Sequence, residues 1–353
     1  MTTFRDLRRK KALSQVALGR LSGLRQATIS AIERGQVQPQ AATIGVLAKA
    51  LACGQQDVAA AWRATWATRH TAAPSPGQKN AIGKTWRFLT GLDQDLRLGL
   101  VEALVTAWTH TSTALEGNTL SQGDTLFVLR EGLTVSGHSL REHEEIHGHA
   151  QAVALIDRAL AHAPHLNARL CHEVHRMVQT GVHTDALAPI GKWKVQPNGT
   201  QAISSTGGVV WHDYAAPEHV PALMQQWLKS ASGALRDSAS LNRSTLVSVY
   251  AQLHLGFTAI HPYADGNGRV ARLLANLPLL HAGYPPLMIA KESRRHYLQL
   301  IGDFSIGRGA PVPGQKLVPL NTSVERLCAF FHDEWQWSLS LVDQFHERQK
   351  KRR

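Results

Sequence analysis

Helical periodicity is the feature of this 353-residue chain that most restricts its fold. Apolar residues recur every three to four positions in segments such as LVEALVTAWTHTSTALE and VSVYAQLHLGFTAI, which places them on one face of a helix. One stretch departs from this spacing. WKVQPNGTQAISSTGGVVWHDY combines β-branched residues with Pro-Asn-Gly and Gly-Gly, which favours a β-hairpin or an extended flap. We therefore predict a mainly α protein with one short β-hairpin.

A Pro-, Ala-, Ser- and Gly-rich segment at residues 69–83 interrupts the helical pattern and predicts a linker. It separates a small N-terminal domain, residues 1–68, from a larger domain over residues 84–345. Residues 346–353 then form a basic tail, which we expect to be solvated.

The positive charge of the chain is concentrated in its first domain and its tail. Residues 1–70 hold eleven Lys and Arg against three acidic residues, and ERQKKRR holds five against one, within a net charge of +12. The segment between them is neutral. A basic first domain predicts an anionic partner there.

Several classes of protein are disfavoured by the composition. No apolar run approaches the roughly 20 residues of a membrane span, and the N-terminus lacks the apolar core of a signal peptide. The three cysteines, Cys53, Cys171 and Cys328, form no CxxC pattern, which argues against a disulfide framework. We expect a cytoplasmic protein without a membrane partner.

Two short helices joined by a Gly-containing turn describe a helix-turn-helix in the first domain. Its segment LSQVALGRLSGLRQATISAIERGQVQPQAATIGVLAKAL resembles the Cro/CI-type (XRE) family of DNA-binding domains. The resemblance implies that Arg25, Gln26 and Thr28 face DNA bases or phosphates and that Gln15 faces a phosphate. The alternative is that these are helix caps and solvated side chains. Such domains usually bind as dimers, which implies a homodimer.

The sequence IHPYADGNGRVAR, residues 260–272, places an anion site before a helix. Gly266 and Gly268 leave backbone N–H groups unobstructed around Asn267, where amides and the helix dipole favour phosphate. Arg269 and Arg272 are three apart, so both lie on one helix face. Two guanidinium groups beside such a nest suit an oligophosphate.

The remaining polar residues of this segment complete a chemical hypothesis. Asp265 beside the two arginines is explained if Mg²⁺ lies between its carboxylate and the phosphates. His261 can take a proton at neutral pH. The pattern predicts a triphosphate, a metal ion and a base aimed at an incoming hydroxyl, without the GxxxxGK[ST] sequence of a P-loop.

This segment resembles the Fic (Fido) family motif HPFxDGNGRxxR at every position but one, where Tyr263 replaces Phe. The resemblance spans about residues 85–345 and implies an α-helical Fic core with a hairpin flap that aligns the target. It also implies transfer of AMP from ATP to a Ser, Thr or Tyr hydroxyl of a protein, either another protein or the chain itself. At Lys194 of the flap, Arg is common in the family.

The resemblance also assigns roles to single residues. His261 is the implied general base, and Asp265 is the implied ligand of Mg²⁺. The residues implied to hold the nucleotide phosphates are Gly266, Asn267 and Gly268 for the α-phosphate and Arg269 and Arg272 for the β- and γ-phosphates. Tyr297 either lines the adenine-binding site or belongs to the hydrophobic core.

A second segment, STALEGN, lies at the end of a predicted helix near residues 101–118. Ser112, Glu116 and Gly117 match the family's inhibitory motif, in which Ser or Thr precedes Glu by four residues and Gly or Asn follows. Its position before the active-site motif implies an N-terminal inhibitory helix. A carboxylate paired with Arg272 would remove the γ-phosphate contact. Whether the enzyme also removes AMP, with Glu116 activating water, is left open by the sequence.

Two alternatives to this reading remain. HEEIH, residues 143–147, would aim His143 and His147 at zinc with Glu144 as base, although Glu173 is only a guess as third ligand. Alternatively, the chain is chiefly a transcriptional repressor whose Fic domain senses a nucleotide.

Overall fold

The computed structural model describes residues 2–34, 39, 41–70, 82–161, 166–182 and 185–352. The chain divides into two compact units, Met1–Lys79 with Phe127–Ser136, and Asn80–Leu126 with Gly137–Arg353. Residues 71–81 of the predicted linker lie outside the described residues. The two residues that open it, 69 and 70, still belong to a helix.

Among the described residues, five helices lie entirely within the first unit. They are α1 (Phe4–Lys10), α2 (Gln15–Ser22), α3 (Gln26–Glu33), α4 (Ala41–Ala50) and α5 (Gln55–His70). Helix α2 begins where the Ser14 side chain accepts the Ala17 N–H, and it ends at Gly23 with φ 72°.

The sharp turn at Gly23 lets α3 pack against α2. Phe4, Leu18, Ile29 and Ile32 are fully buried among the helices of this unit. Two short helices joined at a glycine are the arrangement predicted from the sequence.

The second unit is built from helices and one hairpin. Its helices are α6 (Gln94–Ala114), α7 (Gln122–Glu131, whose residues are divided between the two units), α8 (Leu140–Ala161), α9 (Ala168–Val178), α10 (Val220–Asp237), α11 (Arg243–Ile260), α12 (Asn267–Ala275), α13 (Leu277–His281), α14 (Arg294–Arg308) and α15 (Thr322–Lys350). No helix among the described residues is long and apolar enough to cross a membrane.

Helix α12 lies at the centre of this unit, in contact with α6, α8, α9 and α11. Its apolar residues Val270, Leu273 and Leu274 are fully buried. Full burial of such a side chain contributes about 1.5–3 kcal/mol. The helix that carries Arg269 and Arg272 is therefore held firmly by its neighbours.

The predicted hairpin is present. Strands β1 (Gly199–Ile203) and β2 (Val209–Asp213) pair antiparallel, with Gly199 opposite Asp213 and Ile203 opposite Val209. In the turn, Ser205 donates its N–H to Asp303 Oδ1 at 2.9 Å. Because this is the single sheet of the described residues, the prediction of a mainly α fold is confirmed.

The basic tail differs from the expectation of a solvated end. Helix α15 continues through residues 346–350, and Arg352 pairs with Asp95 at 2.7 Å. Buried Gln349 accepts the Asp93 N–H at 2.7 Å. The tail is thus bonded to side chains at the start of α6. The composition of the tail alone does not indicate these contacts.

Candidate active site

His261 lies at the end of α11 in the left-handed conformation, with φ 51° and ψ 60°. Its Nδ1 lies 3.4 Å from the Thr258 carbonyl oxygen. A carbonyl oxygen only accepts, so this contact places the proton on Nδ1 and leaves a lone pair on Nε2. Burial, with the nearby Lys194 ammonium, lowers the pKa of His261 to about 3, so the imidazole is neutral at physiological pH.

The loop after His261 is closed by a side chain. Asn267 Oδ1 accepts the Tyr263 N–H at 2.9 Å, and its Nδ2 donates to the Tyr263 carbonyl at 2.8 Å. Gly266 caps α12 with φ 76°. The Asn267 side chain is thus used within the loop, and only its backbone N–H, with those of Gly266 and Gly268, can face an anion at this helix end.

Asp265 presents its carboxylate outward, with 66% of the side chain exposed and Oδ2 3.9 Å from Arg269 Nη2. Partial burial raises its pKa, but the Gly266 N–H and the Arg269 guanidinium outweigh this and lower the pKa below its usual value. An ionised, accessible carboxylate is the donor that Mg²⁺ prefers. The residues present therefore fit a magnesium ion shared with phosphate oxygens.

Arg269 is buried, with 4% of its side chain exposed. Its Nη1 donates to the Val178 carbonyl at 3.0 Å and lies 3.9 Å from Glu145 Oε1. Its Nε has no hydrogen-bond partner among the described residues. A buried donor without an acceptor is costly, and a ligand oxygen is one way to satisfy it.

Arg272 is equally buried but fully engaged by the end of α6. It donates from Nε to Ser112 Oγ at 3.1 Å, and from Nη2 to the Ser112 carbonyl at 2.8 Å and to Glu116 Oε1 at 2.6 Å. Burial lowers the pKa of Arg272, but the Glu116 carboxylate outweighs this and raises it. A Cβ at Gly268 would lie 2.6 Å from Glu116 Oε1, so a larger residue there would require the Glu116 carboxylate to shift.

Neighbouring side chains hold the segment that carries Glu116. Asn118 Nδ2 donates to the Glu142 carbonyl at 3.0 Å and to Glu145 Oε2 at 3.1 Å. Arg294 Nε donates to the Leu115 carbonyl at 2.7 Å. Gly117, with φ 102°, makes the turn between these anchors. Residue spacing alone does not indicate the roles of Arg294 and Glu145.

His175 is a further site residue that sequence reasoning missed. Its Nδ1 accepts the Gly191 N–H at 2.8 Å, which places the proton on Nε2, 3.0 Å from the Asp265 carbonyl. Burial lowers the pKa of His175 to about 4, which keeps it neutral. Its ring also stacks on Tyr263 at 3.8 Å between ring centres. His175 thus stabilises the loop by its hydrogen bond to the Asp265 carbonyl and its stacking on Tyr263.

The substitution of Tyr263 for the usual Phe has a structural answer. The ring is fully buried, and its hydroxyl lies 3.1 Å from His172 Nδ1. A buried hydroxyl with a partner is tolerated in a core. The single departure from the motif therefore leaves the loop intact.

Two other predicted residues lie close to the site. Tyr297 is buried with its hydroxyl 2.8 Å from His254 Nε2, which favours its core interpretation over the adenine wall. Lys194 is buried and donates from Nζ to Asn198 Oδ1, and its N–H donates to the Pro262 carbonyl at 2.8 Å. Burial lowers the pKa of Lys194 to about 8.

The predicted zinc residues are buried on α8. His143 Nδ1 lies 2.7 Å from the Ser139 carbonyl, a contact within one helical turn. Among the described residues, no group of three or more His, Cys, Asp or Glu side chains is arranged to hold a metal ion. His143, Glu144 and His147 thus gain no third ligand from this part of the chain.

The predicted DNA-contacting residues lie around the start of α3. Gln26 Nε2 donates to Gln15 Oε1 at 2.7 Å, and Gln15 Nε2 donates to Glu33 Oε2 at 2.7 Å. Arg25, the N-cap of α3, is exposed, and Thr28 is half-buried in its first turn. The structure therefore brings all four together, with Gln15 already bonded to protein side chains.

Two family models match the chain. Residues 144–279 match the Fic/DOC family, and residues 2–61 match a helix-turn-helix domain. The protein adenylyltransferase Fic of Drosophila virilis is 34% identical over 203 residues, which is 56% of this chain and 38% of that protein. The protein adenylyltransferase fic-1 of Caenorhabditis elegans is 31% identical over 192 residues, which is 54% of this chain and 34% of that one.

Solved structures share the fold. A Fic domain containing signaling protein from Bacteroides thetaiotaomicron aligns with a TM-score of 0.60 at 26% identity, covering 75% of this chain and 97% of that one. A Fic-1 fragment from Caenorhabditis elegans aligns with a TM-score of 0.53 at 20% identity, covering 99% and 93% of the two chains.

The match to the curated relatives is limited to about a third of their own length. The Fic/DOC model includes the loop and helix described above and ends just beyond α12. The chain therefore carries a Fic/DOC family domain and, before it, a helix-turn-helix domain.

Proposed function

We propose that the chain is a self-inhibited protein adenylyltransferase that moves AMP from ATP to a Ser, Thr or Tyr hydroxyl of a protein. One observation carries the proposal. On the helix whose glycine-rich N-terminus follows His261, the Arg272 guanidinium is held by Glu116 at 2.6 Å. Adenylyltransferase relatives that match 54 to 56% of the chain support the same reaction.

The reaction requires the protein to accept one proton. The target oxygen attacks the α-phosphorus, a new P–O bond forms, and the bond to the β-phosphate breaks to release pyrophosphate. The proton of the hydroxyl passes to His261 Nε2, which holds the lone pair. With a pKa near 3, His261 is a weak base before ATP binds, and the negative charge of the bound phosphates raises that pKa.

The phosphates are held by backbone and guanidinium groups. The N–H groups of Gly266, Asn267 and Gly268 face the α-phosphate, and Arg269 and Arg272 bind the β- and γ-phosphates. The unpartnered Nε of Arg269 supports this assignment. Asp265 would hold Mg²⁺, which supplies positive charge to the phosphates when bound.

Self-inhibition follows from competition for one guanidinium. While Glu116 holds Arg272, the γ-phosphate must give up a charge-assisted bond, and the Glu116 carboxylate repels it. Both effects disfavour the productive arrangement of the triphosphate. Release of the end of α6, with Ser112, Glu116 and Gly117, would restore the contact.

The N-terminal helix-turn-helix domain links the enzyme to DNA. Its excess of Lys and Arg and the family match over residues 2–61 support DNA binding through Arg25, Gln26 and Thr28, with Gln15 at a phosphate. We infer a cytoplasmic transcriptional regulator that binds DNA as a homodimer. A self-modified residue that changes DNA affinity would connect the two domains.

A second candidate is a repressor whose Fic domain senses a nucleotide without transferring it. The Arg272–Glu116 pair favours this alternative as much as inhibition, because either role needs a nucleotide-dependent contact at Arg272. The transferase and the sensor differ only in whether AMP is transferred from ATP to a protein.

ATP labelled at the α-phosphate distinguishes them. With Mg²⁺ and a cell lysate, we expect labelled protein with Glu116→Gly, little with the unaltered chain, and none when His261→Ala is added. Label absent from all three lanes would contradict the transferase. ATP binding without transfer would then support the sensor.

A further inference from the structure

Tyr214, the residue after β2, covers the imidazole of His261. The two ring centres lie 3.7 Å apart and the planes differ by 9°. No step of the nucleotide chemistry described above uses Tyr214. A ring stacked this closely restricts rotation of the imidazole about its side-chain bonds.

The other restraints on the His261 ring are weak. Its hydrogen bond to the Thr258 carbonyl is long, at 3.4 Å, and therefore restrains the ring only weakly. Its positive φ fixes where the side chain leaves the backbone but leaves the ring free to turn. The stack therefore supplies orientation that the hydrogen bond does not.

Tyr214 is itself tied to the loop that follows His261. Its N–H donates to the Asn198 carbonyl at 3.1 Å, and Asn198 Nδ2 donates to the Tyr263 carbonyl at 3.0 Å. The Lys194 ammonium bonds to Asn198 and lies 6.0 Å from the Tyr214 ring centre. The base of the hairpin is thus connected to the loop that begins at His261.

We propose that Tyr214 is a positioning residue whose ring holds the His261 imidazole in the orientation from which Nε2 meets the attacking hydroxyl. The inference rests on the proposed transferase function, because it concerns the same proton transfer. Stacking needs the aromatic ring and not the hydroxyl. Tyr214→Phe should therefore retain the positioning of His261, whereas Tyr214→Leu should lose it.

Steady-state kinetics of the full chain carrying Glu116→Gly test this directly. For Tyr214→Leu we expect kcat to fall about 10- to 100-fold, the cost of a misplaced reacting group, with KM for ATP unchanged. For Tyr214→Phe we expect both constants to be unchanged. Tyr284→Leu is a matched control, because this half-buried tyrosine packs on Trp335 outside the proposed catalytic machinery.

Three results would overturn the proposal. They are an unchanged kcat for Tyr214→Leu, an equal loss for Tyr214→Phe, and a KM for ATP that rises in step with the loss of kcat. A loss of kcat by Tyr284→Leu equal to that of Tyr214→Leu would likewise reduce the effect to general destabilisation.

A second measurement keeps the inference separate from the transferase activity. If the Glu116→Gly chain transfers no AMP, the proposed function has failed, but the stack can still be detected by NMR of isotope-labelled histidine. The His261 ring resonance, identified by its loss in His261→Ala, should carry a ring-current shift retained in Tyr214→Phe and lost in Tyr214→Leu. No change between these two variants would overturn the positioning role.

Discussion

Arg269 and Arg272 lie one turn apart on α12 and are equally buried, but their surroundings differ. The Arg272 guanidinium is satisfied by Ser112 and Glu116, whereas Arg269 keeps an unpartnered Nε and two carboxylates at 3.9 Å. The surroundings of Arg272 are already occupied by protein side chains, whereas Arg269 has a buried N–H donor without an acceptor. We therefore expect the proposed inhibition to act on a single phosphate contact and to leave the other phosphate-binding groups accessible.

Glu116→Gly should produce the largest change, because it frees Arg272 alone. Removing a charge-assisted partner worth about 3 kcal/mol raises AMP transfer on the order of 100-fold. Transfer of label from α-labelled ATP to protein measures it. Glu102→Gly on α6, the helix that precedes Glu116, is the control. Equal rates for the unaltered chain and Glu116→Gly would show that the pair does not inhibit.

Arg269→Ala should weaken ATP binding in the unaltered chain more than Arg272→Ala does, since Arg272 is occupied by Glu116. We expect about a tenfold rise in Kd for Arg269→Ala, the loss of roughly 1.4 kcal/mol. Arg272→Ala should become as costly only once Glu116→Gly is present. Titration calorimetry of the unaltered chain, its two arginine variants, Glu116→Gly and the double variant Glu116→Gly with Arg272→Ala measures both effects. Equal losses in the unaltered chain would erase the distinction between the arginines.

Acid should destabilise the protein through histidines next to the two arginines. Burial, and then the charges of Arg272 and Arg269, lower the pKa of His149 from its ordinary value of 6.5 to about 3. The unfolded chain therefore binds more protons below pH 6.5, and stability is lost as pH falls through that value. This one group contributes about 1.4 kcal/mol between pH 7.5 and 5.5.

Urea unfolding followed by tryptophan fluorescence at the two pH values measures this loss. His149→Gln should reduce the difference between them, whereas His332→Gln, at an exposed position, should not. An unchanged difference in His149→Gln would remove His149 from the explanation.

Asn118→Ala should give the smallest effect, because it loosens the segment that carries Glu116 without removing the carboxylate. Loss of its hydrogen bonds to the Glu142 carbonyl and Glu145 should raise AMP transfer about threefold, corresponding to about 0.7 kcal/mol. The same labelling assay applies, with Asn167→Ala at the start of α9 as control. If transfer falls instead, Asn118 supports the active conformation.

Much of the site could be predicted because its parts are close in sequence. The glycines, Asp265 and the two arginines fall within one loop and one helix, where spacing alone fixes the geometry. The Tyr263 hydroxyl partner and the brace formed by His175 could not be predicted. Both come from α9, about 90 residues earlier in the chain.

The sequence by itself determined the helical fold, the hairpin and the anion-binding loop, because periodicity and turn residues act over a few positions. The pairing of Glu116 with Arg272 was implied only by the resemblance to the Fic inhibitory motif, and the tertiary structure alone decided the partners of Arg269 and the ring that covers His261. Glu116 and Arg272 are 156 residues apart, and their contact depends on the burial of α6 and α12 in one core. Local spacing carries no information about such pairs, since hydrophobic packing between distant elements brings their side chains together.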